Sequence, residues 1–224
     1  MAPSVTNTLL PLPQVVYGDG DETNWVSKAG AATVTYADQS TFAGTFDAEK
    51  QKQGDGTYTW MGPGGEDGEE TVEKAKFVGT YKDGIREGSG SMTYPNGDSY
   101  EGEWKNGQME GEGTYMYKTS GDVYSGTFVG GKKHGAGLYE FGKDKSVIKG
   151  TWEAGQVTEG EWNLKGCAVY TGKFTNGKPD GEGSFKFQSG IEQKGAFVGV
   201  KADPEDEESP VTISWNGEPV FSTA

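Results

Sequence analysis

The 224-residue chain contains 38 glycines, and only 32% of its residues are hydrophobic, with aromatics supplying 12%. So little aliphatic bulk excludes a thick two-layer core and points to a thin, extended sheet. The formal net charge of −14, from 34 acidic against 20 basic residues, argues against nucleic acid and anionic lipid as partners and suits a basic protein.

The single cysteine, Cys167, excludes an internal disulfide and fits a reducing compartment. No apolar run reaches transmembrane length. The opening stretch MAPSVTNTLLPLPQVV lacks a basic n-region and carries three prolines, so it reads poorly as a signal peptide. Cytosolic or cytoskeletal residence is the expectation.

Residues 1–16 read as an extended N-terminal arm, either a tail or an added strand at a sheet edge. A repeat ribbon is expected over 17–200. A partial copy comes first, because GAATVTYADQSTF (Gly30–Phe42) aligns with GSGSMTYPNGDSY (Gly88–Tyr100). Copy one has Phe42, Gly44, Phe46, Gly54, Gly56 and Tyr58, with a loop one residue longer than in the others. The glycine- and acid-rich insertion Met61–Lys74 reads as a solvated loop.

Copy two has Phe77, Gly79, Tyr81, Gly84, Gly88, Gly90 and Met92. Copy three is YEGEWKNGQMEGEGTYMY, with Tyr100, Gly102, Trp104, Gly107, Gly111, Gly113, Tyr115 and Tyr117. Copy four has Tyr124, Gly126, Phe128, Gly131, Gly135, Gly137 and Tyr139. Copy five opens with Ile148, Gly150, Trp152 and Gly155, then puts Glu159 and Glu161 where the paired glycines belong, with Gly160 between them. Copy six has Tyr170, Gly172, Phe174, Gly177, Gly181, Gly183, Phe185 and Phe187. A half-copy follows with Gly195 and Phe197. Residues 201–224 read as an acidic linker, DPEDEES, and a capping hairpin turning at Asn216-Gly217.

Aromatics and glycines two residues apart fall on one face of a strand. Each copy is therefore a β-hairpin. The preferred register sets Trp104 opposite Gly111, Gly102 opposite Gly113 and Tyr100 opposite Tyr115, with Lys105–Glu110 as the loop. A two-residue turn at Asn106-Gly107 preserves the same parity. Between copies, Tyr94 opposite Tyr100 is expected. Glu159 and Glu161 would then sit on the glycine face of copy five, where burial without partners would be costly.

The pattern Y-x-G-x-W-x-x-G-x-x-x-G-x-G-x-Y resembles the MORN repeat over about residues 30–199. Copies two, three, four and six keep every glycine. The resemblance implies an all-β fold, an elongated single-layer antiparallel sheet of stacked hairpins with an aromatic and glycine groove face. Its structural glycines are Gly79, Gly88, Gly90, Gly102, Gly111, Gly113, Gly126, Gly135, Gly137, Gly172, Gly181 and Gly183. Tyr100, Trp104, Tyr115, Tyr124, Phe128, Tyr139, Trp152 and Trp162 are expected to line the groove, some packing the sheet and some touching a partner.

Catalytic chemistry finds little material. The lone His134 and Cys167 come from different copies, and one of each builds no metal site. The G-x-G pairs lack the third glycine and helix of a nucleotide loop. Acid-rich 66–73 and 203–208 lack EF-hand spacing and read as solvated loops. Lys132-Lys133-His134 reads as a solvated turn, or as a contact for an acidic partner.

The expectation is a non-enzymatic scaffold with no cofactor. The resemblance is strongest to small MORN subunits of the axonemal radial spoke head. That implies other spoke-head and stalk proteins as partners, and self or a paralogous MORN subunit through the repeat ends. It also implies a ciliary or flagellar axoneme as the location, and a contribution to motility control. The competing reading is a peripheral membrane or phosphoinositide-binding adaptor, which the charge disfavours.

Overall fold

A computed structural model describes residues 13–64, 70–201 and 211–219. Most of the N-terminal arm, the centre of the acidic insertion, the acidic linker and the last five residues lie outside this range. The described residues contain strands and turns and no helix. The chain divides into two compact units, 1–108 and 109–224.

The first unit contains β1 (Gln14–Tyr17), β2 (Glu22–Thr23), β3 (Gly30–Thr35), β4 (Thr41–Phe46), β5 (Lys52–Gly64), β6 (Glu70–Lys82), β7 (Ile85–Thr93) and β8 (Ser99–Lys105). β1 pairs with both β2 and β3, and from β3 to β8 each strand pairs with the next. The second unit contains β9 (Gln108–Met116), β10 (Val123–Val129), β11 (Lys132–Glu140), β12 (Val147–Glu153), β13 (Gln156–Leu164), β14 (Ala168–Thr175), β15 (Lys178–Phe187), β16 (Glu192–Lys201) and β17 (Val211–Gly217). Here too each strand pairs with its sequence neighbour. Each unit is a single antiparallel layer built as a meander.

The hairpin turns follow from two-residue sequences able to adopt left-handed backbone. Asp83-Gly84, Asn106-Gly107, Gly130-Gly131, Ala154-Gly155 and Asn176-Gly177 all have positive φ at both positions. That is the type I′ geometry whose twist matches the flanking strands. The six-residue loop is therefore corrected to a two-residue turn, the alternative that the parity argument also allowed. A bulge then resets the register. In copy four Phe128 pairs with Lys133, but Gly126 pairs with Gly137, so the second strand holds two residues more than the first. Gly135 sits in this bulge with φ of 60°, a conformation that a side chain disfavours.

The register between copies also differs from expectation by two residues. Met92 pairs with Tyr100, Gly90 with Gly102, and Gly88 with Trp104. Tyr94 instead accepts the amide of Gly97 and donates its own amide to Asp98, closing a turn. The glycine opposite Trp104 thus comes from the preceding copy.

One row of glycines results in each unit. Gly44, Gly56, Gly79, Gly90 and Gly102 are successive cross-strand partners in the first. In the second the row runs Gly113, Gly126, Gly137, Gly150, Gly160, Gly172, Gly183, Gly195 and Gly217. Copy five stays in this row because its bulge is one residue shorter, with Thr151 opposite Glu159 and Trp152 opposite Val157. Gly160 takes the ring-side position, and Glu159 and Glu161 turn to the other face. The expectation that they sit on the glycine face is overturned by this single-residue change of parity.

Rings lie down on the glycine row. Tyr124 is fully buried, and its hydroxyl donates to the Thr127 carbonyl at 3.1 Å, three residues along its own strand. Tyr100 does the same to Glu103 at 2.9 Å and Tyr170 to Lys173 at 3.3 Å. The ring can reach that carbonyl only by crossing the glycine two residues on. Each such ring also packs edge-on against the aromatic four residues later, as in Tyr124–Phe128 at 5.2 Å and Tyr100–Trp104 at 5.3 Å. Burying one ring of this kind contributes about 1.5–3 kcal/mol, so one layer holds its own core.

Turns are tied from copy to copy. The Gly84 amide donates to the Lys52 carbonyl at 3.0 Å, Gly107 to Arg86 at 3.0 Å, Gly131 to Met109 at 2.9 Å and Gly155 to Lys133 at 2.9 Å. Side chains add a second tie, from the Asp83, Asn106 and Gly130 amides to Gln53, Glu87 and Glu110.

Two further regions depart from the sequence reading. Met61–Lys74 is not simply a loop, because β5 and β6 run on through it as a ladder extending to Gly64 opposite Glu70. Asn216 and Gly217 are strand residues facing Ala196 and Gly195 rather than a turn.

The glycine row gives a direct test. A Cβ on Gly137 would meet three atoms of Tyr124, the nearest at 2.5 Å. Gly137→Ala should destabilise by about 3 kcal/mol in urea unfolding. In a Tyr124→Ala background the same change should cost less than about 1 kcal/mol. Additive costs would show that the ring is not what requires the glycine.

Candidate functional site

The two faces of the layer differ in what they can offer. On the ring face Tyr100, Trp104, Tyr124, Phe128 and Trp152 are buried, and Tyr115, Tyr139 and Trp162 are half-buried. Tyr124, Phe128, Tyr139 and Trp152 come together in the second unit, where Tyr124 also meets Trp152 at 5.1 Å and Tyr139 meets it at 5.9 Å. Trp162 stands by Phe141 at 6.0 Å, and Tyr115 by Tyr117 at 4.6 Å. In the first unit Tyr100 and Trp104 pack on one another. These rings pack on one another as the core of the sheet, with Tyr115, Tyr139 and Trp162 left half-exposed.

A broad concavity lies on the opposite face. In the second unit a trough of about 1100 Å³ runs across β9 to β16. Its floor is the glycine row from Gly126 to Gly183, flanked by two polar rails. Along one rail Ser125, Leu138, Lys149, Glu161, Thr171, Ser184 and Lys194 are successive cross-strand neighbours. The other holds Glu112, Ala136, Thr151, Glu159, Lys173 and Glu182. Lys149 faces Glu161 and Lys173 faces Glu159 across strands, yet neither pair closes to an ion pair. Among the described residues these exposed charges have no ion-pair partner. Hydroxyls are partly engaged, with Thr127 donating to Glu112 at 2.7 Å and Thr114 and Ser125 sharing a bond of 3.1 Å. A bare floor with alternating donors and acceptors on its rims can hold an extended or helical polypeptide segment by side-chain contacts.

Cations on the ring face were not anticipated from the sequence. Lys52 packs over Tyr58 at 4.5 Å and Phe42 at 4.9 Å, and Arg86 over Trp104 at 4.5 Å. Lys133 packs over Trp152 at 4.6 Å and Tyr139 at 4.9 Å. All three occupy the position two residues before the bulge glycine, which is the signal that could have found them. Met109, Val157 and Pro179 fill it in copies three, five and six. The solvated-turn reading therefore fails for Lys133 and holds for the exposed Lys132 and His134.

Burial lowers the Lys52 ammonium, and it lowers Lys133 with partial relief from the Asp122 charge. Burial likewise pushes Tyr36, Tyr81 and Tyr124 up to about 12. Tyr139 rises further through burial and the 2.6 Å bond that it donates to Asp122. For Asp122, burial raises the carboxyl, but bonds from Tyr139 and the Gly142 amide outweigh it and leave the group lowered.

Comparison with known families agrees with this geometry. The MORN repeat profile matches residues 77–99, 100–121, 124–144 and 170–191. The chain contains four MORN repeats. These are copies two, three, four and six. Copy one, with its longer loop, and copy five, with its shorter bulge, fall outside the MORN matches while keeping the glycine row. No curated protein matches the chain.

The buried tyrosines of the repeats predict an alkaline limit. Their folded pKa values lie above the unfolded one near 10, so their contribution is complete below about pH 10 and is lost as pH rises toward 12. Phenolate absorbance should show a class of tyrosines titrating near pH 12, with the urea midpoint falling between pH 10 and 12. A single titration near pH 10 with an unchanged midpoint would contradict the burial.

Proposed function

We propose that the chain is a non-enzymatic scaffold that holds a segment of a partner protein in the polar trough of its second unit. The observation that carries this reading is the trough itself. The rings pack the layer together, whereas the opposite face presents a bare glycine floor between rails whose charges form no ion pair among the described residues. MORN repeats are typical of structural and of protein- or membrane-binding adaptors. The acidic balance of −14 favours the protein-binding kind.

The finer reading is a subunit of the axonemal radial spoke head, assembled with other head and stalk proteins in cilia or flagella. Its support is the resemblance of the repeat-rich, acidic sequence to small MORN subunits of that assembly. Paralogous MORN subunits or a second copy would meet it through the ends of the repeat array.

Incorporation of tagged chain into demembranated axonemes tests both levels. The wild type should incorporate and leave with the spoke-head fraction on salt extraction. The double variant Lys149→Glu, Lys173→Glu should incorporate at least about tenfold less, a loss of about 1.4 kcal/mol, while Lys50→Glu in an exposed turn behaves as wild type. Equal incorporation of both variants would remove the trough from the reading. Failure of the wild type to incorporate, combined with salt-sensitive binding to anionic vesicles, would replace the scaffold with the membrane adaptor.

A further inference from the structure

A second, smaller cavity opens on the ring face of the second unit, between copies four and five. It measures about 260 Å³ and is lined by Lys133, Tyr139, Phe141, Ile148, Trp152 and Val157, with Gln156 and two turn glycines at its edge. It lies at the join where the bulge loses a residue and where Val157 replaces the cation of copy four. Size and walls suit one or two side chains, not a cofactor.

Its chemistry is unbalanced. Lys133 brings an ammonium with three donors, and among the described residues its one hydrogen bond is to the Tyr117 hydroxyl at 3.4 Å. Among the described residues no carboxylate lies within 4.0 Å of that ammonium. The equivalent Arg86 of copy two, by contrast, donates to the Gly107 carbonyl at 2.8 Å. Trp152, only 5% exposed, forms another wall, and its indole N–H has no acceptor among the described residues. A half-buried cation with ring faces, one long bond to a hydroxyl and only the more distant Asp122 charge is incompletely satisfied, and an anion placed beside it gains a charge-assisted bond in a site of lowered dielectric.

We propose that this cavity is a socket for a carboxylate side chain, a glutamate or aspartate next to an apolar residue on a partner polypeptide. The carboxylate would accept from Lys133 Nζ, and its apolar neighbour would rest on Tyr139, Phe141 and Val157. The cavity's volume of about 260 Å³ suits a residue projecting from a docked chain better than a free metabolite. The socket is on the face opposite the trough and does not depend on how the trough is used.

The test uses the full chain and three probes: acetyl-Phe-Glu-amide, its isostere acetyl-Phe-Gln-amide, and phenylacetate. Binding is followed by the Trp152 indole N–H resonance, assigned by its loss in Trp152→Phe. The glutamate peptide should shift it saturably with Kd of about 1–10 mM, and the glutamine peptide should bind at least tenfold more weakly. Lys133→Met should abolish the difference between them. Methionine occupies the equivalent position in copy three, so this variant has a precedent within the fold. Equal binding of the two peptides, unchanged preference in Lys133→Met, or no saturable shift by the glutamate peptide would each overturn the socket. Binding of phenylacetate without the glutamate peptide would overturn a polypeptide source.

Discussion

The contact on which everything else depends is an aromatic ring lying flat along its own strand over glycine backbone. Tyr124 illustrates the economy of the arrangement. Its ring crosses Gly126 and Gly137, and its hydroxyl satisfies a carbonyl three residues ahead. A sheet with one layer has no second layer to bury its apolar face. Here the rings are turned sideways, so each covers its own sheet and its edge meets the next ring. The glycine row is the space that this requires. The same row, seen from the other side, is the floor of the trough. Core and trough are two sides of one constraint, and a side chain added to the row would disturb both.

Much of this could be read in the sequence because strand parity is a strict rule. The two-residue spacing of Tyr100, Gly102 and Trp104 fixes rings and glycines to one face whatever the register. The register itself was harder. The two glycines of a pair look alike in sequence, yet Gly135 bends the chain in a left-handed bulge while Gly137 lies flat beneath a ring. Read as equivalent, they favour a long loop and shift the pairing by two residues. The same ambiguity explains copy five. Glu159 and Glu161 look misplaced until the lost bulge residue is counted, and Gly160 then falls into line.

The face proposed to bind was less legible. Rows of tyrosine and tryptophan invite the reading of a recognition groove, since such residues are common at interfaces. The decisive fact is three-dimensional: whether a ring stands up from the sheet or lies down on it. Nothing in the spacing reports that, although the glycine two residues after each ring is a hint. The cations over the rings were hidden for a similar reason. Lys52, Arg86 and Lys133 follow turns, where a charged residue ordinarily faces water, and only their common offset from the bulge glycine sets them apart.

The turn-to-turn ties have a mechanical side. Strand-to-strand hydrogen bonds, and the bonds from Gly131 to Met109 and from Gly155 to Lys133, all run across the strands. Force drawn through the chain from the ends of a unit meets these bonds in sequence, so strands peel away one at a time from the outside. Each released hairpin lengthens the chain at low load and leaves the remaining copies folded, because each copy leans only on its neighbours. When tension falls, the neighbouring turn and ring row are still in place as a template for the strand to return. A unit built this way yields in small reversible steps where a two-layer domain would hold and then give way at once.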